Sequence, residues 1–496
     1  MTTTPKPVKA YCRAYQVGFG DCCLFSIEYS DGDMKHILID FGTTGIPKDM
    51  PDDLMLRVAE DIRARTTPRG RKNGKLHMLI ASHRHKDHIG GFSREGQKNE
   101  AGETTGDIIR SLNPDVVVQP WTENPELIDK DFEKFIKAGP KKIGQTGPSK
   151  LAEAAFSPTA TDFAHAPNKH FVSTLMGMQA VAKSVEAEAQ RMTSLNLSDD
   201  FSQISALKPF QDQLMFMGEN NMPNVSAVEN LREMGAKTAA HYVCFGDKVS
   251  LSRVMPGVKM HVLGPPSLEQ HHEILKQRSR DDDEFWMLHA MLKDYWGLQA
   301  ATAALSSNLN ATIEDAPKKN RLFPKARVFS NHNPSHTRWF INQVKNVRAR
   351  QMMGLVRILD KAMNNTSVIA LLEINGHKFL FPGDAQIENW EYAMRQTDKM
   401  DLLKDAVLYK VGHHGSRNAT PKTLWRNFAN RSAEGETTAK LFTVCSTMAG
   451  KHGHTTATAV PRRTLVNALK KRTSYHTTED IKDVDNLSIL LEFDLK

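Results

Sequence analysis

Residues 82–91 read SHRHKDHIGG, which packs three histidines and one aspartate into six positions and ends on two glycines. His83 and His85 flank a single residue, so on an extended segment both side chains project to the same side and can grip one ion. Asp87 and His88 then offer a carboxylate and an imidazole to a second position close by. Mixed nitrogen and oxygen donors suit borderline divalent metals such as zinc or manganese. Gly90 and Gly91 permit a tight turn beneath such a site.

Two further segments carry what this site would still lack. FLFPGDAQ puts Asp384 just after an apolar strand, where a carboxylate could bridge two cations or cap a helix. YKVGHHGS puts His413 and His414 after another, a pair equally at home on a surface. Three ligand-type clusters, each directly behind an apolar run, point to one metal site assembled from strand ends.

The positioning elements follow from the surrounding pattern. LHMLIAS, ahead of the histidines, is a short apolar run bounded by turn chemistry and reads as a buried strand. The motif therefore lies on the loop at a strand's carboxyl end, where layered α/β proteins place their binding groups. Residues 1–45 read as strands with YSDGD as a hairpin connection, Leu54, Val58 and Ile62 recur at helical spacing, and PDVVVQPW is a further buried strand. Residues 125–240 are rich in Ala, Met, Lys and Glu, with a helical stripe from Leu175 to Met192, and residues 267–360 are helical and charged. Strands and helices then alternate to the final LSILLEFDL, among them a helix TPKTLWRNFANR with Thr420 as cap and Pro421 at its first position. The chain is expected to form one α/β domain over residues 1–496, interrupted by helical insertions at 125–240 and 267–360.

Composition bounds the reading. The 496 residues are 40% apolar and 25% charged, which is globular and excludes a disordered chain. No run approaches the ~20 apolar residues of a membrane helix, and MTTTPKPVKAYCRAY has no apolar signal core. Five cysteines without CxxC spacing fit reduced thiols. A soluble cytoplasmic protein with no membrane partner is expected, and the net charge of +8 leans toward a polyanionic partner.

The ordered set HRHKDH, GD and HHGS resembles the metallo-β-lactamase fold, an αββα sandwich whose members are mostly metal-dependent hydrolases. More narrowly, QVGFGDCCLF, ILIDFG, HVLGPP, NNTSVIALL, FLFPGD, LYKVGHHGS and GKHGH fall in the order of the ComEC-type branch, whose namesake is a DNA-uptake protein with a nuclease domain of this fold. The resemblance implies two divalent cations, Zn or Mn, with His83 and His85 on the first, Asp87 and His88 on the second, and Asp384 as the bridge. Of the HHGS pair it implies His413 as a ligand and His414 as the neighbour that contacts substrate or helps protonate the leaving group. Asp40, in ILIDFG, matches an outer partner that orients a ligating imidazole, or a turn former at a strand end. Many relatives supply a third first-site histidine after the next strand, where this chain has Gln119 and Trp121. This departure implies either a weakly held first metal or completion of its site by another residue, for which His332 and His336, or His452 and His454, are the candidate donors.

In such a site paired cations generate hydroxide near neutral pH, and Asp87 can hold that nucleophile in line. Lys410, Ser416 and Arg417 are expected to grip nonbridging phosphate oxygens, with Lys410 equally readable as a surface lysine. His454 is expected at the substrate edge, and the helix near Thr420 to offer its positive end. Arg63, Arg65, Arg69, Arg71, Lys72 and Lys75, together with ALKKR, suit sequence-independent contact with nucleic acid, or simply solvated loops. The expectation is a metal-dependent phosphodiesterase, foremost a DNA or RNA nuclease. The resemblance extends it to an effector in a bacterial defence system, with an ATPase or another protein partner on the insertions. The alternatives are a hydrolase of a small phosphoester or cyclic nucleotide in a capped pocket, and a binding subunit without turnover.

Overall fold

A computed structural model describes residues 4–128, 168–169, 171–173, 175–176, 224–271, 362–416, 418–433, 440–451 and 459–496. Most of both expected insertions lies outside these residues, as do Arg417, His332, His336, His452 and His454. The chain divides into two compact units, one of Met1–Asn124, Pro223–Gln277 and Lys361–Lys496, the other of Pro125–Met222 and Arg278–Asp360. The helix Val225–Lys237, placed by the sequence inside the first insertion, belongs to the first unit. The reason is packing: its Ala227, Leu231 and Met234 bury into the same core as Val117.

The first unit is a mixed α/β fold of two seven-stranded sheets. In the first sheet β1 (Pro7–Tyr15), β2 (Cys22–Tyr29) and β3 (Met34–Phe41) pair antiparallel, and β4 (Met78–Ile80), β5 (Val116–Pro120) and β6 (Ala240–Val243) continue parallel to β3. The second sheet repeats the plan. Its β7 (Lys248–Val249), β8 (Val258–Gly264), β9 (Ile369–Ile374) and β10 (His377–Phe381) pair antiparallel, and β11 (Ala406–Lys410), β12 (Phe442–Cys445) and β13 (Ser474–Thr477) continue parallel to β10. The last strand, β14 (Ser488–Asp494), returns to pair antiparallel with β1.

Period-two alternation sorts the side chains into layers. Cys23, Phe25 and Ile27 of β2 face one core together with Leu372, Phe379 and Leu408 of the second sheet, and the Phe25 ring meets Phe379 edge-on at 4.9 Å. Leu24, Leu38 and Leu79 turn the other way, onto Leu54, Val58 and Ile62 of the helix Leu54–Thr66. On the second sheet Leu371, Leu380 and Tyr409 turn outward onto Trp390 and Leu469 of the helices Ile387–Met394 and Arg463–Arg472. The helix expected after HHGS spans only Lys422–Asn427, and Thr420 does not cap it: its hydroxyl bonds the Tyr409 hydroxyl at 2.8 Å. Among the described residues no helix is long and apolar enough to cross a membrane.

Two buried histidines sit near the starts of β3 and β4. His36 Nδ1 lies 2.8 Å from Ser26 Oγ, and the His36 backbone amide donates to His77 Nδ1 at 3.1 Å. Burial, with added repulsion from His77, pushes His36 down to about 4, and burial with nearby Lys35 and Lys75 does the same to His77, also to about 4. The unfolded chain therefore takes up these protons first. Their contribution to stability is present above about pH 6.5, the ordinary histidine value, and is lost as the pH falls toward 4. Chemical denaturation between those values should show the wild type losing stability on acidification more steeply than a His36→Gln/His77→Gln variant; parallel curves would refute the assignment.

Candidate metal centre

The site forms where the two sheets place the carboxyl ends of their strands side by side. Asp40 lies near the end of β3, His83 to His88 follow β4, Asp384 follows β10, and His413 and His414 follow β11. Backbone bonds join these loops across the sheets: Val368 N donates to Ser82 O at 2.8 Å, and within the first sheet's end Asp21 N donates to Asp87 O at 2.9 Å. Gly42 is needed for the fit, since a Cβ there would fall 2.5 Å from the backbone of Asp87 and His88. Gly90 and Gly91 play a different part from the expected turn. Neither is left-handed, and Gly91 is required because a Cβ would fall 2.4 Å from the Phe41 ring.

Asp87, His88, Asp384 and His414 form one buried group whose ligand atoms all lie within 4.8 Å of one another. The two imidazoles are oriented from behind. His88 Nδ1 donates to Asp40 Oδ2 at 2.8 Å, and His414 Nδ1 donates to the Ser446 carbonyl at 3.0 Å. Both therefore turn Nε2 inward, toward Asp384 Oδ1 at 3.0 Å and Asp87 Oδ2 at 3.1 Å. Asp40 is itself fixed by the Ser82 amide and hydroxyl, each at 2.7 Å. Partners of this kind set the tautomer and direction of a metal-binding imidazole.

Of the HHGS pair it is His414, and not the His413 expected as a ligand, that falls in the buried group. His414 is fully buried within the group, whereas His413 lies at its rim, 22% exposed, with Nε2 3.7 Å from Asp384 Oδ2. Both adopt left-handed backbone, with φ of 44° and 51°, and Asp40 does so at 54°. Among the described residues the only other non-glycines with such backbone are Asn113 and Asn375, and Asn, Asp and His are the types most often found there. Strain of about 1–3 kcal/mol per residue persists only where surrounding contacts impose it. Here the Phe19 ring packs on His414 at 4.3 Å.

A divalent cation fits this donor set. Asp87 Oδ1, His88 Nε2 and Asp384 Oδ1 are buried and lack a hydrogen bond of acceptable geometry, although the last two approach to 3.0 Å. Orphaned polar atoms are rare in folded interiors. The charges agree. Burial alone would raise Asp384 and Asp87, but His88 and His414, joined at Asp384 by His413, hold both well below the usual carboxylate range. Burial would lower His88 and His414, yet Asp384 with the neighbouring carboxylates lifts both above the ordinary histidine value. With neutral imidazoles the group would hold two buried carboxylates without a counter-charge, a demand that protons on the imidazoles or a bound cation can meet.

The other expected residues are placed as follows. His83 and His85 are buried and face each other, Nε2 to Nδ1, at 2.9 Å. Lys410 is neither exposed nor directed at a cleft: its ammonium is buried against Asp21 at 2.7 Å, and that carboxylate, outweighing burial, keeps it charged. Ser416 is also engaged, its hydroxyl lying 2.8 Å from His413 Nδ1 and donating to Asn418 Oδ1 at 3.3 Å. Arg63 and Arg65 stand on the helix Leu54–Thr66 rather than in the expected basic loop; Arg63 pairs with Glu60 and Glu103, Arg65 with Asp61, and Lys75 with Asp115, which leaves Arg69, Arg71 and Lys72 as the cations of that stretch outside an ion pair among the described residues. That loop enters β4 at its amino end, opposite the site. Asp21 is the residue that spacing did not single out; its only trace in the sequence is its place in QVGFGDCCLF.

Set against known proteins, the chain matches no family model and no curated protein. The Asp21–Lys410 pair makes a direct prediction. Lys410→Met would leave a buried carboxylate without a counter-ion and should cost about 3–5 kcal/mol in urea denaturation. The double variant Asp21→Asn/Lys410→Met should recover most of that loss. Equal destabilisation of single and double variants would exclude the pairing.

Proposed function

We propose that the chain is a metal-dependent phosphodiesterase of the metallo-β-lactamase type, its two facing sheets and outer helices forming that family's αββα sandwich. The observation that carries the reading is the convergence of Asp87, His88, Asp384 and His414 on one buried point at the strand ends of both sheets. These residues would hold a divalent cation, with His88 and His414 acting through Nε2. When bound, such cations supply a nucleophile at neutral pH and stabilise charge on an attacked phosphoryl group. The chain's own part is orientation. Asp40 and the Ser446 carbonyl fix the imidazoles, and burial of the whole group strengthens every charge interaction within it. Nucleic acid is the proposed substrate class and zinc or manganese the proposed metal.

A second reading, hydrolysis of a small phosphoester, is favoured by one observation. Three of the six basic-loop cations are spent in ion pairs, and the loop lies at the end of β4 away from the site. Sequence-independent polymer contact would have to come from elsewhere.

Purified protein with manganese or zinc should cleave plasmid, linear DNA or RNA, and Asp384→Asn should lower the rate by about a hundredfold or more. Substrate binding that falls steeply with added salt would mark a polymer substrate; salt-insensitive turnover of a model phosphodiester, with polymers untouched, would mark the small-substrate reading. Metal-independent activity that survives Asp384→Asn would exclude both.

A further inference from the structure

We infer that the site binds its cations unequally: one is held tightly by Asp87, His88, Asp384 and His414, and any second cation, at the His83–His85 pair, is held loosely. The inference rests on the metal-dependent reading above, and chooses between the two outcomes that the missing third histidine leaves open, a weakly held first cation or a site completed by another residue.

Three observations separate the two positions. Among the described residues, no group of three converging His, Cys, Asp or Glu side chains includes His83 or His85, whereas the other four residues converge within 4.8 Å. The orphaned buried atoms fall on the same side of this divide. Asp87, His88 and Asp384 each carry one, but His83 Nε2 and His85 Nδ1 satisfy each other at 2.9 Å, so that one ring's proton occupies the lone pair a cation would need. That bond must break before both nitrogens can ligate.

The third observation concerns the position from which a further first-site ligand would come. Gln119 and Glu123 line the same small cavity as His83. Gln119 offers a neutral amide, a weak donor for zinc beside imidazole and thiolate. Glu123 is the only carboxylate there, and Arg84 holds it in a buried bidentate pair, with Nε at 2.6 Å and Nη2 at 2.5 Å. Trp121 turns its indole N–H away, donating to the Pro266 carbonyl at 3.2 Å. The Arg84 guanidinium therefore engages the one carboxylate that lines this cavity and leaves no free anionic donor there for a cation at the pair.

Equilibrium dialysis of the chelator-stripped full-length chain against manganese, with metal counted by atomic absorption, tests this. The wild type should take up one ion per chain, and any second only at a concentration at least about tenfold higher. His83→Gln/His85→Gln should keep the first ion and Asp384→Asn should lose it, each variant being checked for a wild-type circular dichroism spectrum. Two ions bound with equal affinity by the wild type would overturn the inference and leave the metal-dependent reading standing, as would loss of the first ion from a folded His83→Gln/His85→Gln protein. No manganese bound by the folded wild type would overturn both together. The wild-type count decides the matter even if a variant fails to fold.

Discussion

Four carboxylates, Asp21, Asp40, Asp87 and Asp384, are buried around His88, and the rest of the site is arranged to make that tolerable. An ionised carboxylate is held in a protein interior only where positive charge or donated hydrogen bonds meet it. They are met in three ways. Asp21 has the Lys410 ammonium; Asp40 has the Ser82 amide and hydroxyl with the His88 Nδ1–H; Asp87 and Asp384 have imidazoles alone. The last pair is where a proton and a divalent cation would compete for the same Nε2 atoms, because both His88 and His414 commit Nδ1 to a fixed acceptor behind them. The lysine at Asp21 is a fixed counter-charge, whereas Asp87 and Asp384 face groups that can gain or lose theirs.

The sheet topology explains why these residues meet at all. Each sheet changes from antiparallel to parallel pairing at one strand, β3 in the first and β10 in the second. Asp40 comes from the end of β3 and the histidine motif follows its first parallel neighbour β4; Asp384 follows β10 and the HHGS pair follows its first parallel neighbour β11. The two halves of the site are contributed from equivalent positions of two equivalently built sheets. Parallel neighbours end together and leave their following loops side by side, which is the general reason ligands gather at the carboxyl ends of such strands. Packing Phe25 against Phe379 and Phe381 fixes one sheet on the other and so brings the two sets of loops to one place.

How far this was legible in the sequence depended on how local each relation is. His83 to His88 occupy one short segment behind an apolar strand, so their association could be read from spacing. Asp384 and the HHGS pair could be read as strand-end groups, and the alternating strands and helices around them as an α/β fold. What spacing cannot carry is backbone of the wrong hand. His413 and His414 both sit at positive φ, so the rule that neighbours in an extended segment point to opposite sides does not say which of them turns inward. Nor can it carry pairing across hundreds of residues. Lys410 reads as a phosphate-gripping or surface lysine until Asp21, from a different sheet, is placed against it. The basic loop misled for the same reason: its charges are visible in the sequence, and the acids that pair with half of them are not.

The strained residues and the buried charge belong to one arrangement. A left-handed Asp40 turns its carboxylate back under His88, and a left-handed His414 swings its ring beneath Phe19 to meet Asp87. Left-handed backbone costs even these tolerant residue types some strain, and contacts from outside the cluster maintain it: Ser82 on Asp40, and Phe19 with the Ser446 carbonyl on His414. A site built this way is ordered before any ligand arrives, because the scaffold rather than the ligand holds the donor directions. Ser82 also stands behind His83, its hydroxyl 3.1 Å from Nδ1, so that Nε2 is turned forward there too, but it meets His85 Nδ1 at 2.9 Å where the Nε2 atoms of His88 and His414 meet carboxylates. The difference between the two positions is thus a difference in what each oriented imidazole faces.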